Sequence, residues 1–419
     1  MKVFKFGGAS VKDAEAVKNV FHILAKYAGE ELCIVFSAMG KTTNALEKVV
    51  DAWMNQDPEV NNRLKVVEDY HLAIANELSI GNEPVEYWIH KLKEILELPP
   101  PALYDVGYDA VVSYGELLST AVISAFLKNN DYKHTLLDAR EMIITGPVHR
   151  NAPPDWEETQ KRIEFAFNGI HSRKHGLVAI TQGFIGSTFK GESVTLGREG
   201  SDFSAAIFAW ALNADEMIIW KDVPGVLNAD PRFFEHTVKL DKMSYRDAIE
   251  LAYYGASVIH PKTIQPLQNR QIPLYVKSFY QPDEPGTLIH TFEADSTHQL
   301  PCFIFKPDQV LISISPRDFS FIAEDNLHNI FGLIASLGIH LNMMQHSAIT
   351  FSIVMDNHPD KVQRLFKALG SDFRVRYNSG LELITIRYYD QATIDQVTNK
   401  RKILLEQKSR TTVQLVVSE

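Results

Sequence analysis

Strand-like and helix-like segments alternate along the first two-thirds of the chain, and this alternation limits the fold more than any other feature. An apolar segment at 2–6 is followed by a loop at 7–10 and by apolar residues at helical spacing from about residue 13. A second apolar segment, 32–36, ends in the loop 37–42. Further strand-like segments lie at 135–137, 177–181, 217–220 and 274–276. This alternation is typical of βαβ units and predicts an α/β sandwich with a largely parallel sheet.

The pattern changes near 282–286, where the sequence PDEPG interrupts it. Beyond this break, the order strand, helix, strand, strand, helix, strand over 310–377 is that of a ferredoxin-like unit. A second set begins with a strand at 383–387, a helix at 392–407 and a strand at 412–417, and then stops. We expect this second set to be incomplete, unless a strand from before residue 310 completes it.

The length of the chain agrees with several domains. Its 419 residues are enough for two or three domains with cores of their own. We predict a first domain at 1–290, with a helical insertion at about 51–101. A second domain is predicted at 301–377, and a truncated third at 378–419.

Composition and charge exclude several classes of protein. Hydrophobic residues make up 45% and charged residues 22%, which argues against disorder, collagen-like repeats and coiled coil. A net charge of −10 argues against nucleic acid as a partner, because phosphate contacts need a basic face. The longest wholly apolar run, 205–212, is shorter than the roughly 18 residues that cross a bilayer. The N-terminus lacks the apolar stretch of an export signal, and Cys33 and Cys302 form no disulfide framework, so we expect a cytoplasmic protein without a membrane segment.

A lysine and two glycines stand where the first strand meets its loop. Lys5 is followed closely by Gly7 and Gly8. Successive backbone N–H groups in such a loop can bind phosphate oxygens, and Lys5 could neutralise a transferred phosphate. A tight strand–helix turn with a surface lysine would have the same sequence, and the segment matches neither the P-loop nor the dinucleotide fingerprint.

A second glycine-containing loop follows the strand-like residues near 194. Arg198 lies between Gly197 and Gly200, and its planar guanidinium suits a carboxylate or a phosphate. Ser201 and Asp202 open the next helix and could simply cap it. Two loops of a phosphate-binding type at strand ends of one predicted sheet favour an anion-binding site over simple helix capping.

Two acidic residues are further candidates. Asp222, after another apolar strand, could bind Mg²⁺ or order nearby lysines, or could belong to a Pro-Gly turn. Glu116 lies in a helix beside apolar residues, where a buried acid needs either a substrate ammonium or an internal Lys or Arg as partner. The sequence contains no Ser-His-Asp spacing, HExxH or CxxC, and we interpret the 15 histidines as structural or surface residues.

Taken together, these segments resemble the aspartokinases of the amino-acid kinase superfamily, over essentially the whole chain. The matching segments are KFGGAS at 5–10, FSAMGKTTN at 36–44, GELLST at 115–120, TQGFIGS at 181–187, TLGREGSDFSAA at 195–206, KDVPGVLNADPR at 221–232, YGASVIHP at 254–261 and PGTLI at 285–289. The segment FGLIASLGIHL at 331–341 is similar to an ACT domain of that family. The resemblance implies a three-layer αβα sandwich with a mainly parallel sheet, followed by a ferredoxin-like (ACT) βαββαβ regulatory region.

The resemblance also implies an activity, the transfer of the γ-phosphoryl group of MgATP to the side-chain carboxylate of L-aspartate. This is the first step towards lysine, threonine and methionine. The implied cofactors are ATP and Mg²⁺, with no direct protein ligand assigned to the metal. Phosphoryl transfer needs positioning and charge neutralisation, and no general base is required because the aspartate carboxylate is ionised near pH 7.

Site residues follow from the matching positions. The implied catalytic residues are Lys5, which stabilises the transferring phosphoryl group, and Asp202, which organises the site. Arg198 is implied to bind a substrate carboxylate and Glu116 the ammonium, with Ser37 and Thr43 in the substrate loop. The implied nucleotide contacts are Gly7, Gly8, Ser10, Lys221, Asp222, Arg232 and Ser257.

This chain departs from the family mainly on the nucleotide side. Where this chain has Glu199, the family usually has Gly, and where it has Lys221, the family usually has Thr or Ser. Where this chain has Leu227, the family usually has Tyr, and where it has Ser257, the family usually has Lys. Lys221 is a candidate to restore the positive charge that Ser257 lacks.

The regulatory region of the family suggests partners. Its ACT domains pair between subunits and bind lysine or threonine, so we expect a homodimer or higher homo-oligomer and an amino-acid effector contacted by Phe321, Leu341 and Asn342. Lysine-sensitive relatives carry Asp and Glu where this chain has Asn342 and Ala348, which predicts weak or no inhibition by lysine.

Two rival hypotheses stay open at this point. The departures are also compatible with a non-catalytic homologue that binds an amino acid and regulates. The second rival hypothesis is a kinase that acts on glutamate or acetylglutamate, although the GELLST segment and the ACT-like tail argue against it.

Overall fold

The chain forms two compact units in the computed structural model. The structure describes residues 1–171, 178–197, 199–234, 236–256, 259–292, 300–318 and 320–418. Unit 1 contains Met1–Val226, Lys239–Ile249 and Val258–Thr297. Unit 2 contains Leu227–Val238, Glu250–Ser257 and His298–Glu419.

Unit 1 is built on a mainly parallel sheet, as predicted. Its described strands are β1 (Lys2–Phe6), β2 (Leu32–Phe36), β3 (Thr135–Leu136), β4 (Ile144–Thr145), β5 (Val178–Gln182), β6 (Ile185–Thr188), β7 (Ser193–Thr195), β8 (Glu216–Lys221), β9 (Lys242–Ser244), β10 (Leu274–Ser278) and β11 (Thr287–His290). Eight of these described strands pair in the order β3-β5-β2-β1-β8-β10-β11-β9. All neighbours in this order are parallel except β10 and β11. The strands β4, β6 and β7 form a separate small sheet.

Helices surround this sheet and make the predicted α/β sandwich. They are α1 (Ala14–Ala25), α2 (Thr42–Met54), α3 (Val60–Glu77), α4 (Glu83–Leu96), α5 (Tyr104–Val112), α6 (Tyr114–Asn129), α7 (Ala139–Met142), α8 (Trp156–His171), α9 (Gly200–Ala211), α10 (Tyr245–Tyr254) and α11 (Pro261–Arg270). The last five residues of α10 belong to unit 2. Helix α1 begins where the sequence predicts, because the Asp13 carboxylate accepts a hydrogen bond from the Ala16 N–H and caps it. Residues 104–129 are apolar and long enough to cross a membrane, but 83% of their most apolar window is buried in the protein.

Stacked aromatic rings hold the middle strands together below the loops. Phe6, Phe36 and Trp220 lie at paired positions on β1, β2 and β8. The Phe6 ring stacks on Phe36 with centroids 5.4 Å apart, and on Trp220 at 6.0 Å. Because the side chains of adjacent strand residues point to opposite faces, Lys5 projects from the other face of β1. The carboxyl ends of these parallel strands meet at one edge of the sheet, where α/β proteins commonly bind ligands.

Unit 2 contains an antiparallel sheet with two sets of elements. Its strands are β12 (Cys302–Pro316), β13 (Met343–His346), β14 (Phe351–Asp356), β15 (Phe373–Arg387), β16 (Lys402–Lys408) and β17 (Thr412–Ser418), and its remaining helices are α12 (Glu324–Ser336), α13 (Pro359–Leu369) and α14 (Gln391–Thr398). The described strands pair in the order β13-β14-β12-β15-β17-β16. The first four, with α12 and α13, have the predicted ferredoxin-like arrangement.

The second set differs from the sequence prediction in one element. The helix predicted at 392–407 is wrong beyond Thr398, because Lys402–Lys408 forms a strand that pairs with β17. The strand from before residue 310 that could complete the set is present. The first part of β12, Cys302 to Lys306, pairs with β15 at residues 383–387. Long strands β12 and β15 therefore serve both sets.

Candidate active site

One cavity of about 570 Å³ lies in unit 1 at the carboxyl ends of β1, β2 and β8. The sequence predicted seven of its lining residues, which are Lys5, Gly8, Ser37, Thr43, Glu116, Asp202 and Lys221. They come from the strand–helix connections at the ends of β1, β2 and β7, from the last residue of β8 and from helix α6, and are far apart in the sequence. The fold therefore brings together residues predicted for the phosphoryl group and residues predicted for the amino acid.

A buried ion pair lies at the centre of the predicted catalytic residues. Lys5 Nζ is 2.6 Å from Asp202 Oδ1, and the two side chains are 11% and 5% exposed. Burial acts to raise the pKa of Asp202, but the positive charges of Lys5 and Lys221 outweigh it, so this pKa lies below its usual value. Asp202 therefore stays ionised at neutral pH and holds the Lys5 ammonium at the strand end.

The start of helix α9 forms one side of the cavity. The helix begins at Gly200, and Ser201 and Asp202 are buried in its first turn. Backbone N–H groups at a helix N-terminus attract anions. Glu199 precedes the helix in the left-handed region, with φ 55°, and also lines the cavity.

The loops after β1 and β2 contact each other closely. A side chain at Gly8 would place its Cβ 2.9 Å from the carbonyl oxygens of both Ala38 and Gly40, so only glycine fits. The Gly40 N–H donates to the Gly8 carbonyl at 3.0 Å. The Ser119 hydroxyl donates to the Ser37 carbonyl at 2.7 Å. These contacts fix the loop that carries Ser37 and Thr43.

Glu116 presents a carboxylate oxygen without a protein partner. Its Oε1 accepts a hydrogen bond from the Ala38 N–H at 3.2 Å. Its Oε2 is buried and has no hydrogen-bond partner among the described residues. Burial raises the pKa of Glu116 to about 8. An unsatisfied acid that lines a cavity is suited to bind a ligand cation or hydrogen-bond donor.

Ten other lining residues were not predicted as site residues, among them Tyr108, Arg150, Phe184 and Thr195. Phe184 and Thr195 lie inside the segments TQGFIGS and TLGREGSDFSAA, so those segments were a usable signal. Tyr108 and Arg150 belong to no matching segment.

The buried carboxylate of Asp109 organises this missed part of the wall. Its Oδ1 accepts a hydrogen bond from the Thr195 hydroxyl at 2.6 Å. Its Oδ2 accepts from the Arg150 N–H at 2.9 Å and lies 2.8 Å from His149 Nδ1. The Asp109 side chain is fully buried, and it joins α5, β7 and the loop after β4.

Other predicted residues do not line the cavity. The Ser10 hydroxyl is buried and donates to the Trp220 carbonyl at 3.3 Å. Gly7 and the exposed Asp222 are also absent from the lining. Arg232 belongs to unit 2 and pairs with Asp230. Arg198 and Ser257 lie outside the described residues, so their nucleotide and substrate roles stay predictions.

The predicted effector residues lie in unit 2 and differ in exposure. Phe321 is 74% exposed, and Leu341 packs against the core of the first ferredoxin-like set. Asn342 is buried, and its Oδ1 accepts from Lys306 Nζ at 2.8 Å. Its Nδ2 donates to Gln309 Oε1 at 2.7 Å and to Asp356 Oδ1 at 2.8 Å. The Asn342 amide is thus engaged by side chains of its own unit.

No group of three or more His, Cys, Asp or Glu residues suited to a metal ion occurs in the part of the chain that the structure describes. The cavity instead offers cations and the α9 N-terminus, which are groups that bind phosphate.

Comparison with known proteins agrees with this geometry. The sequence model of the amino acid kinase family matches residues 1–278. The chain is 30% identical to lysine-sensitive aspartokinase 3 of Escherichia coli K12, over 92% of this chain and 86% of that protein. The crystal structure of E. coli aspartokinase III in complex with aspartate and ADP has a TM-score of 0.82 and 27% identity, covering 100% of this chain and 96% of that one.

Longer relatives match as well. The chain is 29% identical to bifunctional aspartokinase/homoserine dehydrogenase 2 of Arabidopsis thaliana, over 90% of this chain and 42% of that protein. It therefore spans less than half the length of this plant relative. The family match, the aspartokinase similarity and the shared fold agree, and the chain belongs to the aspartokinases of the amino acid kinase family.

Proposed function

We propose that this protein transfers the γ-phosphoryl group of ATP to the side-chain carboxylate of L-aspartate, giving 4-phospho-L-aspartate. The observation that carries the proposal is the shared cavity of Glu116 and the Lys5–Asp202 pair. The orphaned Glu116 Oε2 suits an amino-acid ammonium, and the Lys5 ammonium suits a phosphoryl group. An amino acid and a phosphoryl donor thus both have complementary groups in one site. The structural relative crystallised with aspartate and ADP supports the same pairing of ligands.

The residues present can account for the reaction without covalent participation of the protein. The aspartate side-chain carboxylate attacks the γ-phosphorus, and the bond to the ADP leaving oxygen breaks. Lys5 and Lys221 would neutralise charge on the transferring group, and Asp202 holds Lys5 in place. The α9 N-terminus adds N–H donors for phosphate oxygens. No proton is removed from the acceptor, because it is already ionised at neutral pH.

Mg²⁺ would enter with the nucleotide. Mg²⁺ is commonly held by substrate phosphates and one or two carboxylates, and keeps several waters. The cavity carries the carboxylates of Glu199 and Asp202. These fit a metal bound mainly by the triphosphate, whose chemical contribution is to neutralise phosphate charge.

We extend the proposal to organisation, location and regulation. Residues 1–290 would form the catalytic domain, 301–377 the first ACT domain and 378–419 the second, which the strand segment 302–306 completes. We propose a cytoplasmic homodimer or higher homo-oligomer that pairs through the ACT domains and binds an amino-acid effector. Cross-linking and light scattering of the full chain would test the oligomer.

One assay separates this function from its rivals. ADP release is measured with ATP, Mg²⁺ and each of L-aspartate, L-glutamate and N-acetyl-L-glutamate. Of these three acceptors, we expect only L-aspartate to give saturable turnover. Aspartate binding without ADP release would favour the non-catalytic homologue, and turnover with either glutamate compound would favour the other kinase.

A further inference from the structure

Arg150 is a cation on the cavity wall that belongs to no recognised segment. It lines the same cavity as Lys5 and Glu116. The guanidinium carbon lies 4.3 Å from the centroid of the Tyr108 ring and 5.7 Å from that of Tyr104. A guanidinium held over an aromatic ring keeps its edge available for a planar anion.

The backbone around Arg150 is fixed by contacts at three successive residues. Nδ1 of His149 and the N–H of Arg150 both contact Asp109 Oδ2. The Asn151 side chain accepts a hydrogen bond from Lys262, at the start of α11. Arg150 has φ 61°, a left-handed conformation that is unfavourable for a residue with a side chain. Such conformations persist where surrounding contacts determine them, and they are concentrated at functional sites.

The ionic partner of Arg150 leaves it able to bind a ligand. Arg150 Nη1 is 3.3 Å from Asp105 Oδ1, and these side chains are 45% and 57% exposed. Exposed pairs of this kind contribute little free energy. A substrate carboxylate entering the cavity can therefore compete with Asp105 for the guanidinium.

The charges of the proposed substrate require a cation of this kind. Aspartate has two carboxylates, and the one that accepts phosphate must approach the group neutralised by Lys5 and Lys221. The charges of both lysines lower the pKa of Asp202, whereas Arg150 contacts Asp105 and Tyr108. The α-carboxylate is a separate anion that needs its own charge-assisted hydrogen bonds.

We infer that Arg150 is a specificity-determining residue that binds the α-carboxylate of the amino-acid substrate, an inference that rests on the proposed function. Tyr108 holds the plane of the guanidinium, and Asp109 fixes the backbone below it. Arg198, which the family resemblance implies binds a substrate carboxylate, lies outside the described residues and is a second candidate for this anion. A nucleotide phosphate is the competing ligand, and the experiment distinguishes the two.

The test compares Michaelis constants for both substrates in Arg150→Met and Arg150→Lys. We expect KM for aspartate to rise at least about tenfold in Arg150→Met, with KM for ATP within about twofold of wild type. Arg150→Lys keeps the charge but loses the planar fork, so we expect a smaller rise. Arg63→Met is the matched control, because Arg63 is 38% exposed, pairs with Asp57 and does not line the cavity. An unchanged KM for aspartate, or an equal rise for ATP, would overturn the inference.

A substrate analogue separates recognition from a structural effect. The α-amide of L-aspartate keeps the ammonium and the side-chain carboxylate but lacks the α-charge. Wild type should bind aspartate at least about tenfold more tightly than this amide, and Arg150→Met should lose most of that preference. A preference retained in full by a folded variant would contradict the assignment. Absence of aspartate kinase activity in wild type would instead refute the proposed function, so the two failures are distinguishable.

Discussion

Lys5 at the end of β1 and Asp202 in the first turn of α9 form a buried ion pair, with 2.6 Å between Nζ and Oδ1. The pair joins the first strand of the chain to a helix nearly two hundred residues later. Desolvation of two charges is costly, and such a pair is a weak source of stability by itself. Its position in the cavity is better explained by chemistry, because Asp202 keeps a charged lysine where phosphate would bind.

Replacing Lys5 tests this role. Lys5→Ala should lower kcat by at least about 10²–10³-fold, as expected when one charge contact to a transition state is lost. Lys18→Ala is the control, because Lys18 is an exposed lysine that pairs only with Glu15 among the described residues. Turnover and circular dichroism are measured together. Wild-type turnover in a folded Lys5→Ala variant would remove Lys5 from the mechanism.

Replacing Arg198 tests whether this residue binds aspartate or the nucleotide. Arg198→Lys keeps the positive charge but cannot make two parallel hydrogen bonds to a carboxylate. We expect KM for aspartate to rise at least about tenfold, which corresponds to roughly 1.4 kcal/mol, with little change for ATP. Steady-state kinetics with each substrate varied in turn would measure this. Equal rises in both constants would mean that Arg198 faces the nucleotide.

Glu116 should couple protein stability to pH. Its pKa is about 8 in the folded protein and near 4.5 when unperturbed. Between these values the folded state keeps a proton that the unfolded state has lost, so the free energy of unfolding contributed by Glu116 falls as pH rises from about 4.5 to 8. In Glu116→Gln this contribution is absent, and the loss of stability between pH 6 and 8.5 should be smaller than in wild type. Urea denaturation at both pH values measures it, with the exposed Glu86→Gln as control. Identical pH dependence in wild type and Glu116→Gln would mean that the Glu116 pKa is not raised.

The same carboxylate should control aspartate affinity. An ammonium is held by ionised Glu116, so KM for aspartate in wild type should fall as pH rises from about 6 to 8. In Glu116→Gln, KM should be at least about tenfold higher and should lose this pH dependence. Initial rates across this pH range provide the measurement. A pH profile in the variant that parallels wild type would assign the titration to another group.

Lysine should inhibit this protein weakly or not at all. The Asn342 amide is neutral and already contacts Lys306, Gln309 and Asp356, so a lysine ammonium would have to displace internal hydrogen bonds. Dose–response curves with lysine, threonine and methionine would test this, with the lysine-sensitive E. coli relative assayed in parallel. Half-inhibition by lysine below about 1 mM, or roughly 4 kcal/mol of binding, would show that another group supplies the charge.

Site residues were predictable from the sequence where they lie in a recognisable local pattern of strand, glycine-containing loop and helix. Lys5, Gly8 and Asp202 lie at strand–helix junctions, whose glycines and apolar flanks are visible in the sequence. Glu116 stood out because an acid among apolar residues in a helix needs a partner. Lys5 and Gly8 reach the cavity from the carboxyl end of β1 in the parallel sheet. Asp202 follows β7 of the small separate sheet and Glu116 lies on α6, so packing of these elements brings the two acids to the same cavity.

The features that were missed depend on tertiary contacts. Arg150 reaches the cavity because Asp109 and Lys262 fix its loop, and neither contact is encoded locally. The segment Lys402–Lys408 contains Leu, Glu, Gln and Lys, which favour helix. Pairing with β17 overrides that preference and produces a strand. Propensity is a weak guide wherever an adjacent strand offers a complete set of hydrogen bonds.

Direct detection of the product is the most decisive measurement for the central claim. An acyl phosphate reacts with hydroxylamine to give a hydroxamate, so the protein is incubated with L-aspartate, MgATP and hydroxylamine, and the hydroxamate is identified by mass spectrometry against synthetic standards. We expect the side-chain (β) hydroxamate of aspartate in amounts equal to the ADP released, and a rate of formation at least about 10²-fold lower with Lys5→Ala. ADP release without aspartyl hydroxamate, or hydroxamate formed at the α-carboxyl, would contradict it.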